Sequence, residues 1–211
     1  MLFVRHSNRI RLVRGLDLTK AVEWYCASSP GRDKKICTTR DVFQARLDTF
    51  YQEVIRALPL DQNEIALLSA AVGEIGNNCF DHNLGQWPDE IGCWFEWAVS
   101  STEVFVVVAD RGQGVLNSLK RVKPDLKNEP EALKIAFEKR LSGRSPEQRG
   151  NGLKFVRSVI NGNPARGLLF FSGKAEVLFG GNRSFKNAIH SDTIGHKAGT
   201  GTLALLSWGK P

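Results

Sequence analysis

Residues 61–83 read DQNEIALLSAAVGEIGNNCFDHN, and this stretch has the pattern of one long amphipathic helix. Apolar residues recur in it with three- and four-residue steps, at Ile65, Leu68, Val72, Ile75 and Cys79. That spacing puts them on one stripe of a helix, which predicts a face packed against a core. Asp61 followed by Glu64 resembles the capping box that opens a helix.

A row of polar residues follows the edge of this stripe. Glu74, Asn78 and His82 are four residues apart, so a helix stacks them with steps of about 6 Å along its axis. Such a row is either an exposed helix face or one wall of a cleft. In a cleft, an amide such as Asn78 can complete a Mg²⁺ shell made of water and phosphate oxygens. The Glu74 carboxylate can orient and deprotonate a nucleophile.

The segments on both sides of this helix indicate an α+β domain. Upstream, apolar residues at helical spacing predict another helix that ends before Pro59; they are Val42, Leu47, Phe50, Val54, Ile55 and Leu58. Downstream, residues 91–99 and 103–109 predict a β-hairpin, and the nearly continuous apolar run of its second strand predicts a buried position. Three more strands are expected, at 167–172, 175–179 and 201–208.

The buried strand is followed by Asp110-Arg111-Gly112-Gln113-Gly114. One interpretation is a simple turn, because Asp and Gly are common turn residues. The other is a ligand site, in which the carboxylate accepts a hydrogen bond from an exocyclic amine such as that of adenine. In that interpretation the glycines let the backbone approach a flat base, since no Cβ stands in the way.

Two further motifs contain glycine. Arg149-Gly150-Asn151-Gly152-Leu153 opens a predicted helix, and the N–H groups at a helix N-terminus bind phosphates. The connection 115–149 before it holds one predicted helix, 130–141, and resembles a mobile lid, because long loops are uncommon unless functional. Gly199-Thr200-Gly201-Thr202 begins the last strand, either as a hairpin turn or with a threonine hydroxyl that contacts the base.

In this order the four motifs resemble the Bergerat-fold (GHKL) ATP-binding superfamily of gyrase-type topoisomerases, Hsp-type chaperones, mismatch-repair ATPases and histidine kinases. Residues 74–83 look like its N box, 110–114 and 149–153 like its two glycine boxes, and 199–202 like its closing Gly-Thr motif. The resemblance implies an α+β two-layer α/β sandwich, with a mixed, mostly antiparallel sheet and helices on one face.

The resemblance covers residues 40–208. It divides the chain into an N-terminal extension of unknown role, 1–40, and a histidine-kinase-like ATP-binding domain, 41–211, with the lid at 115–149. Within the domain, Gly73 and Gly76 are unusual for a helix interior. We expect nucleotide or another backbone to pass close to them.

The resemblance also implies a role for each matched residue. Asn78 would hold a Mg²⁺ ion that bridges the ATP phosphates, Glu74 would be the catalytic base, and Asp110 would bind the adenine amino group. Further contacts would come from Gly112, Gly114, Gly201 and Thr202 near the base and from Arg149, Gly150 and Gly152 near the phosphates. Asn77 and His82 either belong to the site or simply cap and pack.

The ExxxNxxxH row most resembles the anti-sigma-factor serine kinases. It implies a switch-type serine protein kinase that uses Mg-ATP and acts on a regulatory partner, sigma-like or anti-anti-sigma-like. Two alternatives stay open: a nucleotide-dependent module that binds a partner, and a stand-alone slow ATPase. A complete sensor histidine kinase is not expected, because the only upstream histidine is His6 in a strand-like segment. The long loop 180–199 is a departure from a compact kinase.

Composition restricts the remaining classes. With 211 residues, of which 42% are hydrophobic and 24% charged, the chain has the composition of a globular protein. Its longest apolar run, 104–109, is far shorter than the roughly 20 residues of a membrane span. The net charge of +7 favours anionic partners, but basic residues are not interleaved with stacking aromatics, so nucleic acid is not expected.

The cysteines and the N-terminus suggest the compartment. The four cysteines lack metal-type spacing and are expected to be reduced thiols. The N-terminus becomes basic before any apolar signal core develops, so we expect a cytoplasmic protein. A monomer and a homodimer are both left open.

Overall fold

The apolar run 104–109 lies in the interior of a six-stranded sheet. The computed structural model describes residues 11–13, 16–26, 33–83, 85–88, 91–138, 151–181, 185 and 199–210. In chain order its elements are β1 (Arg11–Val13), β2 (Leu16–Asp17), α1 (Leu18–Cys26), β3 (Ile36–Cys37), α2 (Arg40–Ala57), α3 (Gln62–Asp81), β4 (Cys93–Val99), β5 (Glu103–Asp110), α4 (Gly114–Lys120), α5 (Glu129–Glu138), α6 (Gly152–Asn161), β6 (Arg166–Ser172), β7 (Ala175–Gly180) and β8 (Thr202–Gly209).

The main sheet has the strand order β3-β4-β5-β8-β6-β7. Every described pair is antiparallel, so a parallel pair of the expected mixed sheet does not occur among these strands. The predicted hairpin is formed by β4 and β5, in which Trp97 faces Val106. Helices α2, α3, α5 and α6 pack on one face around a shared apolar core. The fold is therefore an α+β two-layer sandwich, as expected.

The buried stripe of α2 begins one residue later than the sequence pattern predicts. Thr39 caps the helix by accepting the N–H of Val42 at 3.3 Å. The residues that pack inward are Phe43, Leu47, Phe50 and Val54, followed by Leu58. Val42 and Ile55, which also fit the helical spacing, are 42% and 43% exposed and lie outside the core. Each lies one step away from a buried residue on the helix, outside the stripe.

The stripe of α3 is buried as predicted, but only half of its capping box forms. The Asp61 side chain accepts the N–H of Glu64 at 2.9 Å. The Glu64 carboxylate is committed elsewhere, because it accepts from Arg166 Nη2 at 2.5 Å and from Trp208 Nε1 at 3.1 Å. These bonds fix the first turn of α3 to strands β6 and β8.

Gly73 and Gly76 face helix α2. A Cβ on Gly76 would lie 1.9 Å from Cζ of Phe43, and one on Gly73 would lie 3.3 Å from Cδ2 of Leu47. The two glycines therefore allow α2 and α3 to pack closely. Of the two neighbours left open for these glycines, nucleotide or another backbone, the structure has helix α2 there, through the side chains of Phe43 and Leu47.

Part of the segment predicted to be an extension belongs to the sheet. Strand β3 pairs with β4 at its edge. Helix α1 covers the face opposite the helical layer, where its apolar residues join a second core that includes Phe105, Val107, Leu203 and Leu205. Helices thus occur on both faces, and α1 is the addition to the expected architecture.

The first part of the predicted lid is packed structure. Helix α4 begins at Gly114, and α5 ends at Glu138 within the described residues. Phe137 of α5 packs on Phe170 and Phe179 of the sheet, with ring centroids 5.3 and 5.0 Å apart. Residues 139–150 lie outside the described residues, so a lid there stays a prediction. No helix in the described ranges has the length and apolar character needed to cross a bilayer.

Candidate functional site

The C-terminal half of α3 presents the predicted polar row beside the core. Glu74 is exposed and Asn78 is half-buried, while Ile75 and Cys79 on the same turns are buried. Within the described residues, the side chains of Glu74 and Asn78 form no hydrogen bond or ion pair. A carboxylate and an amide are therefore left available one helical turn apart.

The N-terminus of α6 lies against these two side chains. A Cβ on Gly152 would be 2.3 Å from Oε2 of Glu74 and 3.8 Å from Nδ2 of Asn78. Asn151 precedes the helix without a side-chain cap, and its carbonyl accepts the N–H of Phe155 at 2.8 Å. The first N–H groups of α6 have no intrahelical acceptor, which is a general property of helix N-termini. Arg149 and Gly150 lie outside the described residues.

Glu74 and Asn78 form one centre of the candidate site. Asp110, at the end of β5, forms the second. It is 3% exposed. Its Oδ1 accepts the N–H of Gly112 at 2.7 Å, and its Oδ2 accepts the N–H of Thr202 at 3.2 Å and the Thr202 hydroxyl. Burial raises the pKa of this carboxyl, and the hydrogen bonds from Thr202 and Gly112 partly offset that increase. Residues 110–114 and 199–202, which the resemblance assigns to the base, thus contact each other.

The fourth partner of Asp110 is Asn83, which sequence reasoning missed as a site residue. Asn83 is 3% exposed, and its Nδ2 lies 3.4 Å from Oδ1 of Asp110 and donates to the Cys79 carbonyl. Its Oδ1 accepts the N–H of Gln113 at 2.9 Å. An ionised carboxylate has about four acceptor positions, and here protein donors occupy all of them. The long bond from Asn83 is the one that a ligand donor can replace most easily.

The glycines of the motifs 110–114 and 199–202 pack closely against Asp110, Asn83 and the backbone beside them. A Cβ on Gly112 would lie 1.6 Å from Oδ1 of Asn83, and one on Gly201 would lie 2.2 Å from the Asp110 carbonyl oxygen. Gly114 has φ +73, and a Cβ there would lie 2.7 Å from the Thr200 carbonyl oxygen. Glycine is required at each position by a neighbouring protein group.

His82 closes helix α3 and contacts α4. Its carbonyl accepts from Nε2 of Gln113, and its Nδ1 lies 3.2 Å from the hydroxyl of Ser118. Burial lowers the pKa of His82, and the positive charge of Arg121 lowers it further. Of the two roles left open for His82, its contacts fit capping and packing. Asn77 is half-buried and is left unassigned.

Both centres are connected through α3. Glu74 and Asn78 lie against the start of α6, and Asn83 in the turn that follows α3 contacts Asp110. Cys37, Cys79 and Cys93 are buried free thiols. The residues described include no group of three or more His, Cys, Asp or Glu side chains that could hold a metal ion. A Mg²⁺ ion held by Asn78 would not need one, since Mg²⁺ takes few protein ligands when phosphates are present.

No protein-family model matches the chain, and no curated protein matches it either.

Proposed function

We propose that this protein binds Mg-ATP between α3, the start of α6 and the adjoining ends of β5 and β8. One observation carries the proposal: helix α3 and the turn that directly follows it contact both candidate ends of the site. Gly152 lies against Glu74 and Asn78, and Asn83 bonds to Asp110. The resemblance of the four motifs to the GHKL superfamily gives this arrangement its interpretation.

At the base end, the chemistry favours adenine over guanine. Adenine presents an exocyclic amine, a hydrogen-bond donor, where guanine presents a carbonyl oxygen. Asp110 Oδ1 would accept that amine in place of the 3.4 Å bond from Asn83, while Thr202 keeps Oδ2 fixed. A guanine oxygen facing the same carboxylate would leave two acceptors in contact, which costs binding energy.

At the phosphate end, the residues present fit a Mg-triphosphate. Because Gly152 has no side chain, the exposed Glu74 carboxylate lies directly against the α6 N-terminus, and it is free to move aside for a phosphate. Helix N-termini favour phosphate through their free N–H groups and dipole. The Asn78 amide has no other partner in the described ranges, so its oxygen is available to a Mg²⁺ ion. Bound Mg²⁺ would neutralise phosphate charge.

We further propose that Glu74 is the catalytic base of a switch-type serine protein kinase. Its carboxylate is exposed, so a serine of a partner protein can reach it. The serine hydroxyl would give its proton to Glu74 and take the γ-phosphate, leaving ADP. A regulatory protein in the cytoplasm is the proposed partner, and the buried thiols of Cys37, Cys79 and Cys93 agree with a reducing compartment.

One observation favours the second candidate, a nucleotide-dependent partner-binding module. Within the described residues no group holds the Glu74 carboxylate in a fixed orientation. A general base usually acts from a defined geometry. In this case the same site would bind Mg-ATP and control the partner without phosphate transfer.

Binding is tested by calorimetric titration with Mg-ATP and Mg-GTP. We expect Asn78→Ala to abolish Mg-dependent binding and Asp110→Asn to reduce the preference for ATP. The matched controls are Asn161→Ala, an exposed amide at the end of α6, and Asp125→Asn, a carboxylate exposed on the surface. If both site variants titrate like the unsubstituted protein, the site assignment is wrong.

The two candidates are separated by Glu74→Gln, which keeps the shape of the side chain and removes its basicity. If the protein is a kinase, the variant should bind Mg-ATP normally and should no longer transfer labelled γ-phosphate to a protein in a cell lysate. A module predicts no transfer by either protein. Phosphate release without any partner would identify the slow ATPase.

A further inference from the structure

The last turn of α1 contacts the segment that leads into β8. The Tyr25 hydroxyl lies 3.4 Å from the Gly201 carbonyl oxygen and 3.5 Å from that of Gly199, so its single hydrogen is shared between them. A Cβ on Gly199 would lie 2.5 Å from Cζ of Tyr25. The ring therefore lies directly against the backbone of Gly199. Tyr25 itself is 4% exposed.

The same turn contacts the end of β5. The Arg111 guanidinium lies 5.2 Å from the ring centroid of Trp24 and is almost completely buried. Arg111 follows Asp110 directly in the chain. Two successive residues of α1 thus contact the two strand ends that form the base end of the proposed site.

The charge of Asp110 also affects the pKa of Tyr25. Burial raises the pKa of Tyr25, and the negative charge of Asp110 raises it further. Tyr25 therefore keeps its proton and stays a hydrogen-bond donor throughout the physiological pH range.

From these contacts we infer that Tyr25 is a positioning residue for nucleobase recognition. It holds the carbonyls of Gly199 and Gly201 in place, so that Gly201 stays packed against Asp110 and Thr202 keeps its hydrogen bonds to it. This inference rests on the proposed function. It gives helix α1 a role in the site. Loss of the contact between α1 and the sheet should weaken adenine binding and leave phosphate binding unchanged.

The test is Tyr25→Phe, which removes the hydroxyl and keeps the ring. We expect the ratio of Mg-ATP to Mg-GTP affinity to fall roughly three- to tenfold, the effect of one lost hydrogen bond. The control is Tyr51→Phe, the other tyrosine of the chain, which is half-buried in α2. If the role of Tyr25 is purely structural, the substitution should weaken the binding of both nucleotides equally, and that result would overturn the inference.

A second variant tests the same contact from the opposite side. Gly199→Ala adds a methyl group against the Tyr25 ring and should lower the same ratio. If the unsubstituted protein prefers ATP and neither variant changes that preference, the inference is wrong and the proposed function stands. If the unsubstituted protein binds no Mg-ATP, or binds both nucleotides equally, the proposed function fails together with the inference.

Discussion

Gly152→Ala places a methyl group between the start of α6 and the polar row of α3. The new Cβ would lie 2.3 Å from Oε2 of Glu74, which is too close for any contact. Glu74 is exposed and has no partner among the described residues, so its flexible carboxylate can move away. Alanine also has a better helix propensity than glycine, by up to about 1 kcal/mol in a helix interior and less at its first position.

The free energy of unfolding should therefore change by less than about 1 kcal/mol, in either direction. Nucleotide affinity should change more than stability. The methyl group would lie beside the first N–H groups of α6 and 3.8 Å from Nδ2 of Asn78, where we propose that the phosphates bind. We expect Mg-ATP affinity to fall at least about tenfold, which corresponds to about 1.4 kcal/mol. The measurements are urea denaturation for stability and calorimetric titration for affinity.

Gly162→Ala is the matched control at the other end of α6. The atoms nearest to its Cβ would be 3.4 Å away or farther, so the methyl group fits. This variant should keep both stability and nucleotide affinity. Unchanged affinity in Gly152→Ala, or a loss of stability above about 2 kcal/mol, would refute the assignment of Gly152 to a ligand-facing position.

Two further substitutions test the packing around the site. Gly76→Ala should destabilise the protein by about 1–3 kcal/mol in urea denaturation, because its Cβ would overlap the buried ring of Phe43; a stability equal to that of the unsubstituted protein would contradict the close packing of α2 on α3. His82→Gln should flatten the pH dependence of stability. The folded-state pKa of His82 is lower than its ordinary value of 6.5, so below that value the unfolded chain binds more protons and stability decreases as the pH falls. Denaturation between about pH 5 and pH 7.5 measures this slope, and an identical slope in the variant would show that His82 is not its source.

The elements that hydrophobic spacing defines were predictable from the sequence. The α3 stripe, the β4–β5 hairpin and the start of α6 follow directly from local periodicity and glycine placement. The beginning of the α2 stripe was not, because Val42 and Phe43 are both apolar and only packing against Gly76 shows which one faces inward. Local sequence also gave no sign of α1 on the second face, since that contact joins residues far apart in the chain.

The candidate site shows the same division. The resemblance assigned Asp110 and Thr202 to the same base, and the structure joins the two residues by hydrogen bonds. Asn83 was missed because its role depends on where the last turn of α3 meets the loop after β5. The one available signal was an amide directly after His82 at the end of a helix, which by itself is typical of a C-terminal cap.

The motif glycines differ in what they reveal about a ligand. The missing Cβ of Gly112 is accounted for by Asn83, and that of Gly201 by Asp110, so protein packing alone requires glycine at these positions. Gly152 is different, because its closest neighbour is the end of an exposed side chain that can move. Packing alone therefore does not require glycine there, whereas a triphosphate between α6 and Asn78 does. For this reason the affinity of Gly152→Ala, measured beside its stability, separates a nucleotide site from a fold that only resembles one.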